Sequence, residues 1–386
     1  MKIYLDYNGT TPVDPVVWQE MQPFLGDLFG NPSSTHWAGQ EARIAINKGR
    51  EQLASLIGGD SEEIVFTGCG SESDNLAIKG TLWSYCQQDL TKAHVITSAV
   101  EHPAIINCCT FLERLGVDFT YLDVDRNGMI SADQVEAAIN ERTILVSLML
   151  ANNETGVIFP IEEISRLTRS HGILLHTDAV QAVGKISVDV NQLGVDLLSL
   201  SGHKFYAPKG VGALWVRSGV NLEPLIHGGG QEQGHRSGTE AVSNIVAVGK
   251  AASLLEPESL DKEVKRQAKL RDDLEAELTE KLQRVIFHGS GVKRLSNTTN
   301  FSLPGIDGES LQMHLDLQGI AVSTSSACAS GNGRGSQVLR AMGVSEAEAK
   351  SALRVSIGRW TTAAEIRQFI DTLVEVAESL WRISPL

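Results

Sequence analysis

The sequence predicts an α/β fold: a large unit with a mostly parallel sheet covered by helices, followed by a smaller α+β unit toward the C-terminus. The first observation behind this is rhythm. Between about residues 40 and 250, helical patterns alternate with short apolar runs at 63–67, 94–97, 143–148, 172–176 and 195–200. Runs of that length separated by helices pair in parallel through crossover connections. The second observation is a change of texture after Pro257. A long charged amphipathic helix over 258–282 precedes further short strands, and a last helix is opened by Thr362 and Glu365 in capping-box spacing. The third is that no internal repeat or low-complexity linker interrupts the chain, so the passage between units follows the change of rhythm.

Bulk properties narrow the function. A chain of 386 residues is long enough for two or three domains and a large buried core. Its formal charge of −14 argues against direct binding of nucleic acid, which needs a basic face. The five cysteines, Cys69, Cys86, Cys108, Cys109 and Cys328, are odd in number and include no Cys-x-x-Cys. Neither a disulfide framework nor a metal site is indicated, and a reducing cytosol fits. No apolar signal core opens the chain and no apolar run approaches spanning length. The expectation is a soluble cytoplasmic protein with no membrane partner.

Along the chain, the first chemical signal is Thr67-Gly68-Cys69-Gly70-Ser71-Glu72-Ser73-Asp74, which follows a strand and opens a helix. Its glycines let backbone approach an anion, and free N–H groups with the helix dipole attract one; Ser71 is also placed to be the N-cap. Glu101-His102-Pro103 follows the next strand, where an imidazole at the carboxyl edge of a parallel sheet lies among ligand-binding loops. Asp123-Val124-Asp125-Arg126-Asn127-Gly128 copies half of an EF-hand loop, but Gln134 stands where the bidentate glutamate belongs, so it reads as an Asn-Gly turn. Asn152-Asn153-Glu154 and Asp178, with Gln181 three residues beyond it, follow two further strands.

Lys204 then stands in Leu198-Ser199-Leu200-Ser201-Gly202-His203-Lys204-Phe205-Tyr206-Ala207-Pro208-Lys209-Gly210-Val211-Gly212. Glycines and proline stop a helix there, which fixes the amine on a tight turn at a strand end. Bulk and neighbouring cations suit it to Schiff-base chemistry. A carboxylate beside a lysine and a phosphate cradle is what a pyridoxal ring nitrogen needs. Cys328, flanked by serines, alanines and glycines without apolar periodicity, reads as a nucleophile on a loop rather than a buried apolar residue.

Several motifs together resemble the pyridoxal-phosphate-dependent cysteine desulfurases of the NifS/IscS type. They are His176-Thr177-Asp178-Ala179-Val180-Gln181, Ser201-Gly202-His203-Lys204, His227-Gly228-Gly229-Gly230-Gln231-Glu232 with Arg236-Ser237-Gly238-Thr239, and Ser325-Ser326-Ala327-Cys328. The resemblance runs from Leu5-Asp6-Tyr7-Asn8-Gly9 and Gly30-Asn31-Pro32 to Arg354-Val355-Ser356. It implies the aspartate-aminotransferase-like fold type I, with residues 15–256 as the large cofactor-binding domain and residues 1–14 joining 257–386 in the small one.

The same resemblance implies that Lys204 holds pyridoxal phosphate through its amine, that His102 stacks on the ring, that Asp178 pairs with the ring nitrogen and that Gln181 contacts the ring hydroxyl. Gly70, Ser71, Ser201 and His203 would hold the phosphate, with Thr239 arriving from the second subunit of a homodimer. Asn31, Asn153 and Arg354 would fix the substrate, the arginine offering a fork to its carboxylate. L-cysteine would lose its Cα proton to Lys204, its sulfur would pass to Cys328 as a persulfide with release of alanine, and a sulfur-acceptor protein would take it onward. Ser71 replaces the threonine of many relatives and keeps the hydroxyl, whereas the glycine-rich segment 329–336 departs from the usual pattern and leaves the acceptor open. The alternatives are a selenocysteine lyase or another fold type I lyase or aminotransferase, which would not need Cys328, and a non-catalytic scaffold.

Overall fold

A computed structural model describes residues 2–86, 89–324 and 335–383; Cys328 lies outside the described residues. Its strands are β1 (Ile3–Tyr4), β2 (Ile64–Thr67), β3 (His94–Ser98), β4 (Asp118–Leu122), β5 (Thr143–Met149), β6 (Leu174–Asp178), β7 (Leu197–Ser201) and β8 (Gly212–Val216), then β9 (Ile286–His288), β10 (Thr298–Ser302), β11 (Ile320–Ala321), β12 (Ser323–Thr324) and β13 (Ala352–Ser356). The predicted apolar runs thus become strands within a residue or two of their expected bounds.

The main sheet has the order β2-β8-β7-β6-β5-β3-β4. Pairing is parallel from β4 through β7 and antiparallel on both sides of β8. Strands covered on both faces lose polar alternation, and side chains of alternating parity feed two cores. Ile96, Val146, Leu148, Leu198 and Leu200 enter one core. Val95, Leu145 and Leu197 enter the other. Helix Trp37–Ile57 lies over the first, capped at its C-terminus by Gly58 at φ +67°, the left-handed conformation glycine adopts without a Cβ penalty.

A third core belongs to the antiparallel sheet β12-β13-β10-β9. Helix Pro257–Lys281 buries Leu260, Leu270, Leu274 and Leu278 on one stripe, and helix Ala363–Ile383 buries Ile366, Phe369, Ile370 and Leu373. The capping box at the latter's start is formed, with Thr362 N donating to Glu365 and Glu365 N to Thr362 Oγ1. The N-terminus enters this region as well. Ile3 pairs with Ile320 and Ile3 and Leu5 lie in the same core. The segment after β4 is a turn, in which Asp125 Oδ1 accepts from the N–H groups of Asn127 and Met129. Among the described residues, no helix is long and apolar enough to cross a membrane.

Candidate functional site

Four parallel strands end side by side, and each end delivers chemistry. Asp178 at the end of β6 pairs in register with Met149 of β5 and Ser199 of β7, while β3 runs beside β5 and leads into Glu101 and His102. Because the strands point the same way, residues that follow them in sequence meet above one edge of the sheet. They enclose a cavity of about 220 Å³ whose wall includes Gly70, His102, Asp178, Ser201, Lys204 and Arg354. Ser71, Asn153, Gln181 and His203 line it too.

Lys204 sits on a single 3-10 turn, Gly202–Lys204, directly after β7. Its Nζ donates to the carbonyl oxygens of Asn8 at 2.7 Å and Gly9 at 2.8 Å. His102 caps helix Pro103–Glu113, its Nδ1 accepting from Ala104 N at 3.1 Å. Burial pushes the His102 imidazole pKa down, partly offset by Asp178. Asp178 accepts from Val180 N at 2.9 Å, and burial pushes its carboxyl pKa up against the pull of His102 and Lys204. Beneath it, burial and the Asp178 charge drive Asp74 well above the ordinary carboxyl range. His176 is wedged between Ser147 and Ser199 hydroxyls and falls to about 3 by desolvation, a neutral imidazole.

At the other end, helix Gly70–Asn75 begins with Cys69 at its cap position and no side-chain cap bond. Ser71 is therefore inside the first turn rather than the N-cap, which leaves its hydroxyl for the cavity. A Cβ on Gly70 would lie 2.8 Å from Val180 Cγ2, so only glycine keeps this backbone close. Ser201 Oγ is buried without a hydrogen-bond partner among the described residues. His203 Nδ1 is 3.1 Å from Thr10 Oγ1, and burial with the Lys204 charge lowers its pKa to about 4.

Arg354, on β13, reaches in from the antiparallel sheet. Its Nη1 donates to Asn153 O at 3.0 Å and its Nη2 to Asp6 Oδ1 at 2.6 Å, while Nε is buried without a partner among the described residues. The Nε–H and one N–H on each amino group remain for a carboxylate. Asn31 and Thr239 do not line the cavity of the single chain. Asn31 Oδ1 accepts from Ser33 N, and Thr239 is exposed.

Sequence reasoning missed three residues that shape the site: Asn8, Asp74 and Lys185. Asn8 is 1% exposed and links the sheets, donating from Nδ2 to Thr298 Oγ1 and accepting at Oδ1 from Asn297. The motif around Leu5 to Gly9 was the only available signal for it.

An unpartnered serine hydroxyl and a glycine-walled helix start at one end, and a buried acid at the other, suit a coenzyme with an anionic arm and a basic ring nitrogen. The sheet below is that of the fold type I pyridoxal-phosphate enzymes. The aminotransferase class-V family model matches residues 3–369, and the chain belongs to that family. Within the family it is 47% identical, over 100% of its length and 96% of the relative, to the cysteine desulfurase IscS of Dictyoglomus turgidum. It superposes on a structure described as a NifS-like protein with a TM-score of 0.91 at 37% identity, covering 98% of this chain and 100% of that one. For SspA in complex with cysteine the TM-score is 0.81 at 38% identity, covering 94% and 100%. The protein is a pyridoxal-phosphate enzyme. When bound, that coenzyme supplies the electron sink that lets an amino acid lose its Cα proton.

Proposed function

We propose that this chain is a cysteine desulfurase: it converts L-cysteine to L-alanine and moves the sulfur onto Cys328, from which an acceptor protein takes it. The observation that carries this reading is the meeting of Lys204 and Arg354 in one cavity, in a chain alike over its whole length to named cysteine desulfurases. Arg354 and Asn153 would hold the substrate carboxylate and Lys204 would be the base for the Cα proton; Asp178 would pair with the coenzyme's ring nitrogen and His102 would lie against its ring. Gly70, Ser71, Ser201 and His203 would hold its phosphate.

Residues 15–256 form the cofactor-binding domain and residues 1–14 with 257–386 the small domain, consistent with Ile3 and Leu5 packing among residues 270–377. The active form is a homodimer. Trp18, Leu25, Phe29, Trp37 and Ile44 are large apolar side chains exposed between residues 18 and 44, as an unmated interface would be, and Thr239 completes the phosphate site of the second subunit. Among the described cysteines, burial raises the thiol pKa values of Cys86, Cys108 and Cys109, Cys108 to about 11, which suppresses their thiolates.

The test is Cys328→Ala. The variant should keep the yellow cofactor and still change absorbance when L-cysteine is added, yet form almost no alanine. Wild-type protein treated with cysteine without reductant should carry its persulfide on Cys328, with Cys69, at the cavity wall, as the internal control. Alanine formation by the variant at the wild-type rate would assign the chain to lyases that eliminate sulfur directly.

A further inference from the structure

Behind the coenzyme cavity lies a second chamber of about 230 Å³, lined by Tyr7, Lys185, Tyr206, Glu263 and Asn297 among others, and Lys204 lines both. Lys185 is a buried amine there that the proposed chemistry leaves unused. It is 7% exposed, and its Nζ donates to Gln181 Oε1 at 2.6 Å and to Gln181 O at 3.1 Å. Desolvation above all, with repulsion from Lys204 and Arg354, drives its pKa well down. Two of the amine's N–H groups thus have an acceptor here, both on Gln181.

We propose that Lys185 is a positioning residue that sets the orientation of the Gln181 side-chain amide, so that the amino group and not the carbonyl faces the coenzyme. A carboxamide has two ends of nearly equal shape, and its neighbours decide which way it points. Asn8 O accepts from Gln181 Nε2 at 3.0 Å and from Lys204 Nζ at 2.7 Å. A flipped amide would set its oxygen against that carbonyl oxygen and abandon the Lys185 donor. Held as it is, Gln181 has one N–H on Asn8 O and a second to offer the cavity it lines. Without Lys185 the buried Oε1 loses its donor, and the amide is held from one end only.

This rests on the proposed contact of Gln181 with the coenzyme ring, and the experiment separates the two. An N–H donated to the ring oxygen stabilises its anion, so losing that donor makes the bound coenzyme's visible chromophore harder to deprotonate. In purified holoenzyme, Lys185→Met keeps the stem and removes the donor. It should raise the pH midpoint of the chromophore by about 0.7 unit and weaken coenzyme retention about fivefold, the change expected from one net hydrogen bond. Its thermal midpoint should move little, because the better fit of methionine to a buried site offsets the donor lost at Oε1. Lys185→Gln, which keeps an N–H at shorter reach, should recover part of the shift. In a Gln181→Ala background, Lys185→Met should add nothing.

Three results would overturn the inference. One is a shift in Gln181→Ala with none in Lys185→Met. Another is an additive shift in the double variant. The third is equal behaviour of the Met and Gln variants. If Gln181→Ala itself leaves the chromophore unmoved, the contact of Gln181 with the ring fails, and the role of Lys185 falls with it.

Discussion

The two walls of the cavity are built in opposite ways. One wall is the carboxyl edge of the parallel sheet, where Asp178 ends β6 in register with Ser199 of β7 and Lys204 follows β7 within a few residues. The other is Arg354, a single side chain on an antiparallel strand, held by Asp6 and Asn153 from distant parts of the chain. The first wall is stiff and local, and it belongs to the coenzyme. The second depends on long-range packing and faces the substrate. Damage to the two should therefore fail differently.

The largest effect is expected on the first wall. Lys204→Ala removes both the attachment point and the base and should lower alanine formation at least about 1000-fold, in the range typical of a lost general base and nucleophile. Borohydride should label Lys204 in the wild type; label recovered on Lys209 would break the assignment of that wall. Next, Arg354→Lys should raise KM for L-cysteine about 10- to 100-fold, since a point charge replaces a planar fork, while coenzyme content by absorbance stays that of wild type. An unchanged KM would erase the contrast between the walls.

A third expectation sharpens the contrast by adding a second subunit. Thr239→Ala mixed with Lys204→Ala should regain up to about one quarter of wild-type activity after verified subunit exchange, because random pairing leaves one site of each hybrid intact. No recovery would show that each chain completes its own phosphate site.

The smallest effect concerns stability beside the first wall. Glu101 accepts from Ser98 Oγ and Met149 N, its Oε2 is buried without a partner among the described residues, and burial lifts its pKa from the ordinary 4.5 to about 8. Below about pH 4.5 both folded and unfolded chains hold the proton and the contribution is complete. As pH rises toward about 8 the unfolded chain gives up its proton while the folded one retains it, and stability falls by up to a few kcal/mol. Glu101→Gln copies the protonated acid and should flatten the decline of the thermal midpoint over that interval. An unchanged slope would assign the decline to Glu154, raised to about 7 by burial, or to Asp74.

Much of this molecule is determined by sequence alone. Apolar runs of strand length, Thr362 and Glu365 at capping distance, and the residues just after β3, β5, β6 and β7 fix the fold class and most of the coenzyme wall, because each depends on neighbours a few positions away. The tertiary structure decided the rest. That Asn8 O receives Gln181, 173 residues distant, and that Arg354 rests on Asp6, 348 residues distant, follows from how the units close on each other, and no local pattern encodes that distance. Protonation was decided there too. His176, Asp74 and Lys185 are ordinary titrating side chains in the sequence, and folding shifts each toward its neutral form because it removes the water that would have stabilised the charge.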